Sequence, residues 1–420
     1  MKVAIVGMSH LGVIYSIGLA ERGFDVVGLD NDDILADELN TGIMGFHEPR
    51  AVELLNKHLG NKLSFSNDFN LIREVELILI AQDTKTNEQG EPDYSKVENL
   101  ISESVAEMSE TAKLIILSQA YPGFTRKLNL GDKAVYQVET LIFGQAIERV
   151  LNPEQLIVGL PQPNFESEII ERYLSRFTCK VHKMSLESAE LAKISINIQL
   201  TFSILSANLL ATSAEISGAD WNEVKTILKS DKRIGEFAYL SPNLGISGDN
   251  LPRDLRVLSG IFKGNSNLVE MRFLQQALEY NSELPYWIIK QLDQFEIDPG
   301  LIGVLGLSYK ENTQSSKGSP ALKVIDGAPR RGFICYDPQV NLLDLPNNAT
   351  RVSSLDAIIK KVSVLIVATP WSEFRDYFQS DFFLSNFQGT VIDPFEILPR
   401  DLESHCVVIR RGRNQSLELS

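Results

Sequence analysis

Short apolar runs that end at glycine or polar turns alternate with amphipathic stretches over the first third of the chain. Residues 3–6 are apolar at every position and run into Gly7-Met8-Ser9-His10-Leu11-Gly12; an amphipathic stretch follows to about Arg22, and a second apolar run, 26–29, is closed by Asp30. Four or five consecutive apolar residues bounded by turn residues predict strands buried on both faces, as in a parallel sheet covered by helices. Residues 77–81 and 114–117 repeat the pattern, and 301–305 does so again before a second glycine turn, Gly306-Leu307-Ser308-Tyr309-Lys310. From about 187 to 217 the pattern changes. Ile194, Ile196, Ile198, Leu200, Phe202, Ile204 and Leu205 place apolar side chains almost all round one long helix, which predicts that it is buried on every face. A helical region runs from 251 to about 294, and residues 296–300 (EIDPG) form a linker. The expected class is α/β: two Rossmann-like doubly wound domains, 1–186 and 298–420, joined by the long central helix and a helical middle domain, 187–297.

Composition narrows the function classes. A chain of 420 residues is too long for one core, and 44% apolar with 23% charged residues is ordinary for a soluble protein. No uninterrupted apolar run of about 18 residues occurs, so no membrane span is expected, and the start, MKVAIVG, enters a strand without the features of a signal peptide. Cys179, Cys335 and Cys406 are far apart and odd in number, which fits a reducing cytoplasm. A net charge of −15 argues against a nucleic-acid partner. An anionic nucleotide would need a local positive pocket.

The first turn carries the first candidate chemistry. Strand, glycine turn, helix, strand and terminal acid together form a dinucleotide-binding fingerprint in which Ser9 stands in place of the middle glycine. The helix start offers free N–H groups and a positive dipole to phosphate. Asp30 is placed to receive ribose hydroxyls and to repel a 2′-phosphate, which favours NAD over NADP. Gly7, Ser9, Leu11, Gly12 and Asp30 are the cofactor-binding candidates; His10 is expected to be an exposed turn residue without a role. The alternative is a βαβ unit of purely structural meaning.

The densest cluster of special residues is 231–254, DKRIGEFAYLSPNLGISGDNLPRD. Its glycines permit tight bends and close approach of a ligand, and Arg233, Asn250, Arg253 and Asp254 are expected to project from it. This stretch resembles the signature loop of the UDP-glucose/GDP-mannose dehydrogenase family, D-x-R-I-G…P-G-x-G-x-G-G-x-C-x-P-K-D, at Asp231, Arg233, Ile234, Gly235, Pro242, Gly245, Gly248, Pro252 and Asp254. Asn250 stands where the family has its nucleophilic cysteine, and Arg253 where it has lysine. The resemblance covers nearly the whole chain. It includes Gly42 to Pro49, Thr84 after the 77–81 strand, Ser118-Gln119 for a Ser-Thr, and Glu139, Leu141, Gly144 and Ala146 of P-E-F-L-R-E-G-x-A. It continues through Lys193 and Asn197 of A-E-x-x-K-x-x-x-N to Lys310, Asn312 and Thr313. Ile142, Phe143 and Phe395 replace family arginine, glutamate and arginine, and Gln119 replaces a water-holding threonine.

The resemblance implies NAD as cofactor, a nucleotide-sugar substrate, a role in polysaccharide biosynthesis, a homodimer built on the central helix, and no metal. It places Thr84 and Ser118 on the cofactor side and Glu139, Leu141, Arg233, Gly245, Arg253 and Lys310 on the substrate side. Lys193, Asn197 and Asp254 become the catalytic set, with Asn250 in the nucleophile's place. Lys193 and Asn197, four apart and so on one helix face, would hold an oxyanion; Asp254 would orient a water or pair with Lys193. Asp249 is a general base or a solvated loop acid. The missing thiol, glutamate and threonine all belong to the second oxidation and hydrolysis, because an amide nitrogen cannot replace a thiolate. A two-electron alcohol/carbonyl step is therefore expected. The alternatives are a non-catalytic NAD or nucleotide-sugar-binding homologue, and a four-electron 6-dehydrogenase working by a non-covalent route.

Overall fold

The structure, a computed structural model, describes residues 1–87, 90–248, 250–262, 268–294, 300–340 and 345–413. Asp249 and residues 296–299 of the expected linker lie outside the described residues. The chain forms two compact units, Met1–Ile196 and Asn197–Ser420.

In the first unit the strands are β1 (Lys2–Val6), β2 (Asp25–Leu29), β3 (Leu63–Ser66), β4 (Leu77–Ile80), a small antiparallel hairpin of β5 (Lys85–Thr86) and β6 (Pro92–Asp93), β7 (Lys113–Ile116), β8 (Ala134–Gln137), β9 (Gln155–Leu160) and β10 (Lys180–Ser185). Eight of them make one sheet in the order β10-β9-β8-β7-β4-β1-β2-β3. Every pair is parallel except β8 with β9. Alternate residues of β1 and β4 feed opposite faces: Val3, Ile5, Leu77 and Leu79 enter one core cluster, and Ala4, Val6, Ile78 and Ile80 the other. Both faces are covered, and that is why these strands are apolar throughout.

The second unit has a six-stranded, wholly parallel sheet of β11 (Ile302–Leu305), β12 (Phe333–Tyr336), β13 (Ala349–Arg351), β14 (Val364–Val367), β15 (Thr390–Asp393) and β16 (Val407–Arg410). Its order, β13-β12-β11-β14-β15-β16, is that of a doubly wound sheet. Ahead of it come the helices Asn250–Ile261, Val269–Glu283 and Trp287–Gln294. The α/β class and the pair of Rossmann-like sheets are as the sequence predicts.

The long helix runs Leu186–Ser217. By length and composition it could cross a bilayer; Glu190, Thr201 and Asn208 are fully buried along it. The expectation of burial on every face is corrected: Leu209 is 56% exposed and Ile216 81%, with Leu191, Ile196 and Leu210 also open, whereas Ile194, Ala207 and Ala211 are buried. The helix has one inner face in a single chain. Periodicity places apolar residues all round the helix but does not say which of them a neighbouring element covers.

Candidate functional site

In the first sheet the strand order reverses between β1 and β4, and in open α/β sheets the loops leaving the carboxyl ends at such a reversal are where ligands bind. The loop after β1 is the glycine turn. Gly7 has φ +92°, and a Cβ there would lie 2.8 Å from that of Gln82; a Cβ on Gly12 would strike the Gly7 carbonyl. Only glycine lets the turn fold this tightly over the start of the helix His10–Glu21. Asp30 ends β2 as a buried carboxylate, accepting the Met8 N–H at 2.7 Å and facing the Lys96 ammonium at 3.4 Å. The glycine cradle, the helix start and a carboxylate at the ribose position fit a dinucleotide lacking a 2′-phosphate.

Thr84 and Ser118 lie on the loops after β4 and β7, but their hydroxyls fasten those loops together. Thr84 Oγ1 donates to the Gln119 carbonyl at 2.7 Å, and Ser118 Oγ accepts from Gln82 N at 3.0 Å. Ser9 Oγ donates to the Ala81 carbonyl at 3.2 Å and accepts from Asp83 N at 2.8 Å, and the Asp83 carboxylate accepts from Leu11 N at 3.3 Å. The expectation that His10 is exposed is corrected: its side chain is 13% exposed and has a partner. Its Nε2 lies 3.0 Å from buried Glu48, which also accepts from Gly144 N at 2.8 Å and Ala146 N at 3.3 Å. Its ring centroid is 4.2 Å from that of Phe143. Glu48 thereby fixes the Leu141–Ala146 turn, with Ile142 and Phe143 left partly exposed.

Lys193 Nζ donates to the Glu139 carbonyl at 2.7 Å and faces its carboxylate at 3.3 Å. Both side chains are mostly buried, and Leu141 N donates to the same carboxylate. One turn earlier on the helix, Glu190 holds the turn after β7 by accepting from Thr125 N at 2.8 Å and from Gly123 N. Burial pushes the Glu190 carboxyl up against the opposing pull of those bonds. A cleft of about 920 Å³ in this unit, lined by Arg126, Phe165, Glu168 and Lys183 among others, contains none of the expected site residues.

In the second unit the expectation that Arg253 and Asp254 project from a loop is corrected: both lie inside the helix Asn250–Ile261, and Asp254 is completely buried, accepting from Asn197 Nδ2 and, at 3.1 Å, from Nε of buried Arg253. Asn250 is exposed at the first position of the helix Asn250–Ile261. The signature loop is held by asparagines that sequence reasoning missed. Asn208 Nδ2 donates to Asn243 Oδ1 at 3.1 Å, Asn243 N donates to Asn208 Oδ1 at 3.0 Å, and Asn281 exchanges hydrogen bonds of 2.7 and 3.0 Å with Ile246. An amide inside the apolar helix at position 208 was the available signal. Gly245 has φ +96° and Gly248 +73°; side chains there would meet Asn281 and the Tyr309 ring. Lys310 Nζ lies 5.6 Å from the Tyr309 ring centroid. Arg233 is 88% exposed and pairs with Asp231 in its own turn, where its hydrogen bonds hold the Asp231 carboxyl low. Phe395 packs against the cores of this unit.

The turn after β11 is organised by Asp337, whose buried carboxylate accepts from Leu307 N (2.7 Å), Ser308 N (2.9 Å), Gln339 N (2.9 Å) and Val340 N (2.8 Å). Burial raises its pKa, but the four amides outweigh that and leave it lowered. A lowered folded value means that Asp337 contributes its full stability above the usual aspartate range near pH 4 and loses it as pH falls through the lower folded value. Asp337→Asn is expected to cost about 1–3 kcal/mol at neutral pH and to flatten the acid limb of the stability curve, measured by urea unfolding from pH 3 to 7. An unchanged acid limb would contradict this assignment.

No group of three or more His, Cys, Asp or Glu residues placed to hold a metal ion occurs among the described residues. Three models of the UDP-glucose/GDP-mannose dehydrogenase family match the chain in order: the NAD binding domain over residues 1–176, the central domain over 187–283 and the UDP binding domain over 303–399. Similar curated proteins include the UDP-glucose 6-dehydrogenase AglM of Haloferax volcanii, 27% identical and covering 95% of this chain and 98% of that protein. Another is the UDP-glucose 6-dehydrogenase TuaD of Bacillus subtilis, 28% identical, covering 89% and 85%. The fold is similar to that of a UDP-glucose dehydrogenase from Pyrobaculum islandicum (TM-score 0.83, 22% identity, 97% and 96% of the two chains). It is also similar to the UDP-N-acetyl-mannosamine dehydrogenase Cap5O from S. aureus (TM-score 0.80, 20% identity, 99% and 100%).

Proposed function

This chain belongs to the UDP-glucose/GDP-mannose dehydrogenase family, and from that premise we propose that it is an NAD-dependent oxidoreductase that takes a nucleotide sugar through a single two-electron alcohol-to-carbonyl step. The observation that carries this is Asn250, exposed at the start of its helix where the family places its nucleophilic cysteine. Neither buried thiol, Cys335 nor Cys406, is suited to replace it. Burial pushes Cys335 up to about 12 and Cys406 up to about 11, and Cys179 packs at the edge of the first unit's core. A thiol held protonated is a poor nucleophile.

NAD, when bound by the Gly7–Gly12 turn and Asp30, supplies the acceptor for the hydride that leaves the sugar carbon. The hydroxyl proton leaves to a water molecule at the same time, and the C–O bond becomes the carbonyl double bond. Lys193, fixed by Glu139, and Asn197, fixed by Asp254, are donors whose orientation is set before substrate arrives, the condition for stabilising a developing oxyanion. Asp254 acts on Asn197 as a positioning residue. Arg233, Arg253, Lys310, Gly245 and Leu141 serve the nucleotide sugar. The chain divides into a cofactor domain (1–186), a central dimerisation domain (187–297) and a nucleotide-sugar domain (298–420), and the open face of the long helix meets a second copy in a cytoplasmic homodimer.

The test is incubation with NAD and a panel of UDP-, GDP- and dTDP-sugars in the presence of a hydrazine, followed by mass spectrometry. The expected product is a trapped carbonyl that has lost two hydrogens. A sugar acid would contradict the proposal. A second reading, a binding homologue that no longer turns over, is favoured by the carboxylate of Asp83 at the phosphate end of the helix; saturable binding without any product would select it.

A further inference from the structure

A helix start that would receive a phosphate here already receives an anion from its own chain. Asp83 Oδ2 lies 3.3 Å from Leu11 N, the second residue of the helix His10–Glu21. The geometry is reinforced from the turn itself. Ser9, in the place of the middle glycine, accepts from Asp83 N at 2.8 Å while donating to the Ala81 carbonyl at 3.2 Å. One hydroxyl thus ties the segment leaving β4 to the turn leaving β1, at the reversal of strand order where a pyrophosphate would cross. Asp83 itself is exposed, so its carboxylate does not fill a core position.

We propose that Asp83, positioned by Ser9, is a built-in competitor for the pyrophosphate of NAD and keeps cofactor affinity low. The proposal rests on NAD being the ligand of this turn. A helix N-terminus carries roughly half a positive charge, and a carboxylate one hydrogen bond away cancels much of it. An incoming pyrophosphate must displace that carboxylate and still faces a like charge a few ångströms away. Because the group is exposed, the repulsion is screened over a Debye length of about 8 Å at physiological salt. The penalty is therefore moderate and salt-dependent, and it applies to phosphate-bearing ligands alone.

The experiment is equilibrium binding of NADH and of adenosine, by calorimetry at 20 mM and 500 mM salt, to the full-length wild type, Asp83→Asn, Ser9→Ala and the double variant. Asp83→Asn is expected to tighten NADH about tenfold at low salt, with a smaller gain at high salt and no change for adenosine. Ser9→Ala, which frees Asp83 without removing it, gives a smaller gain that is not additive with Asp83→Asn. Equal or weaker NADH binding in Asp83→Asn would overturn the proposal while leaving the cofactor assignment intact, and so would an equal gain for adenosine. Saturable adenosine binding without NADH binding in any of the four proteins would overturn both.

Discussion

Asp254→Ala lowers the stability of the second unit by about 3–5 kcal/mol, the cost of breaking a buried ion pair from one side, with urea unfolding as the measurement. Asp254 has no solvent access, and Arg253 beside it is 5% exposed. Removing the carboxylate takes away one ionic partner of the buried Arg253 guanidinium, at 3.1 Å, and the acceptor that orients Asn197. Paired replacement separates charge burial from loss of packing. Arg253→Met combined with Asp254→Leu removes both charges and is expected to recover more than half of the loss, because neither charge of the pair then has to be kept out of water. A double variant as unstable as Asp254→Ala would mean that the pair is not what the site's stability depends on.

Lys193→Met is expected to lower kcat by about 10²–10³-fold, the range found when one preorganised oxyanion donor is lost, while NADH affinity stays within twofold. The ammonium is held by the carbonyl and carboxylate of Glu139, and its side chain is 12% exposed. Glu139→Gln keeps the carbonyl contact and weakens only the ionic one, so its kcat should fall far less. Equal losses in the two variants would assign the effect to the Glu139 carboxylate instead of the ammonium. A Lys193→Met protein with unchanged kcat would remove Lys193 from the chemistry.

Some of this arrangement was legible in the sequence. β1, β4, β7 and β11 are apolar at nearly every position because both sheet faces are covered, and the glycine turns after β1 and β11 mark where those strands stop. Strand limits shift by one residue: Ala81 and Leu117 fall just past β4 and β7. The long helix was legible as a helix, but not its exposed side, since periodicity cannot say which neighbour covers an apolar residue. Partners distant in sequence were not legible either. Glu139 lies 54 positions from Lys193, and Asn281 lies 35 from Ile246. Asp83 stood in the sequence as one polar residue in a loop. Its place beside the turn after β1 follows from register, because β4 lies beside β1 and ends level with it.

The central claim is that one oxidation occurs and no second follows. The direct measurement is the number of NADH formed per nucleotide sugar consumed, read by nicotinamide absorbance against product quantified by mass spectrometry at full conversion. One NADH per sugar, with the carbonyl as the product, is the predicted result. Two NADH per sugar with an acid product would show that another group does the work of the missing thiol, and the account would be wrong.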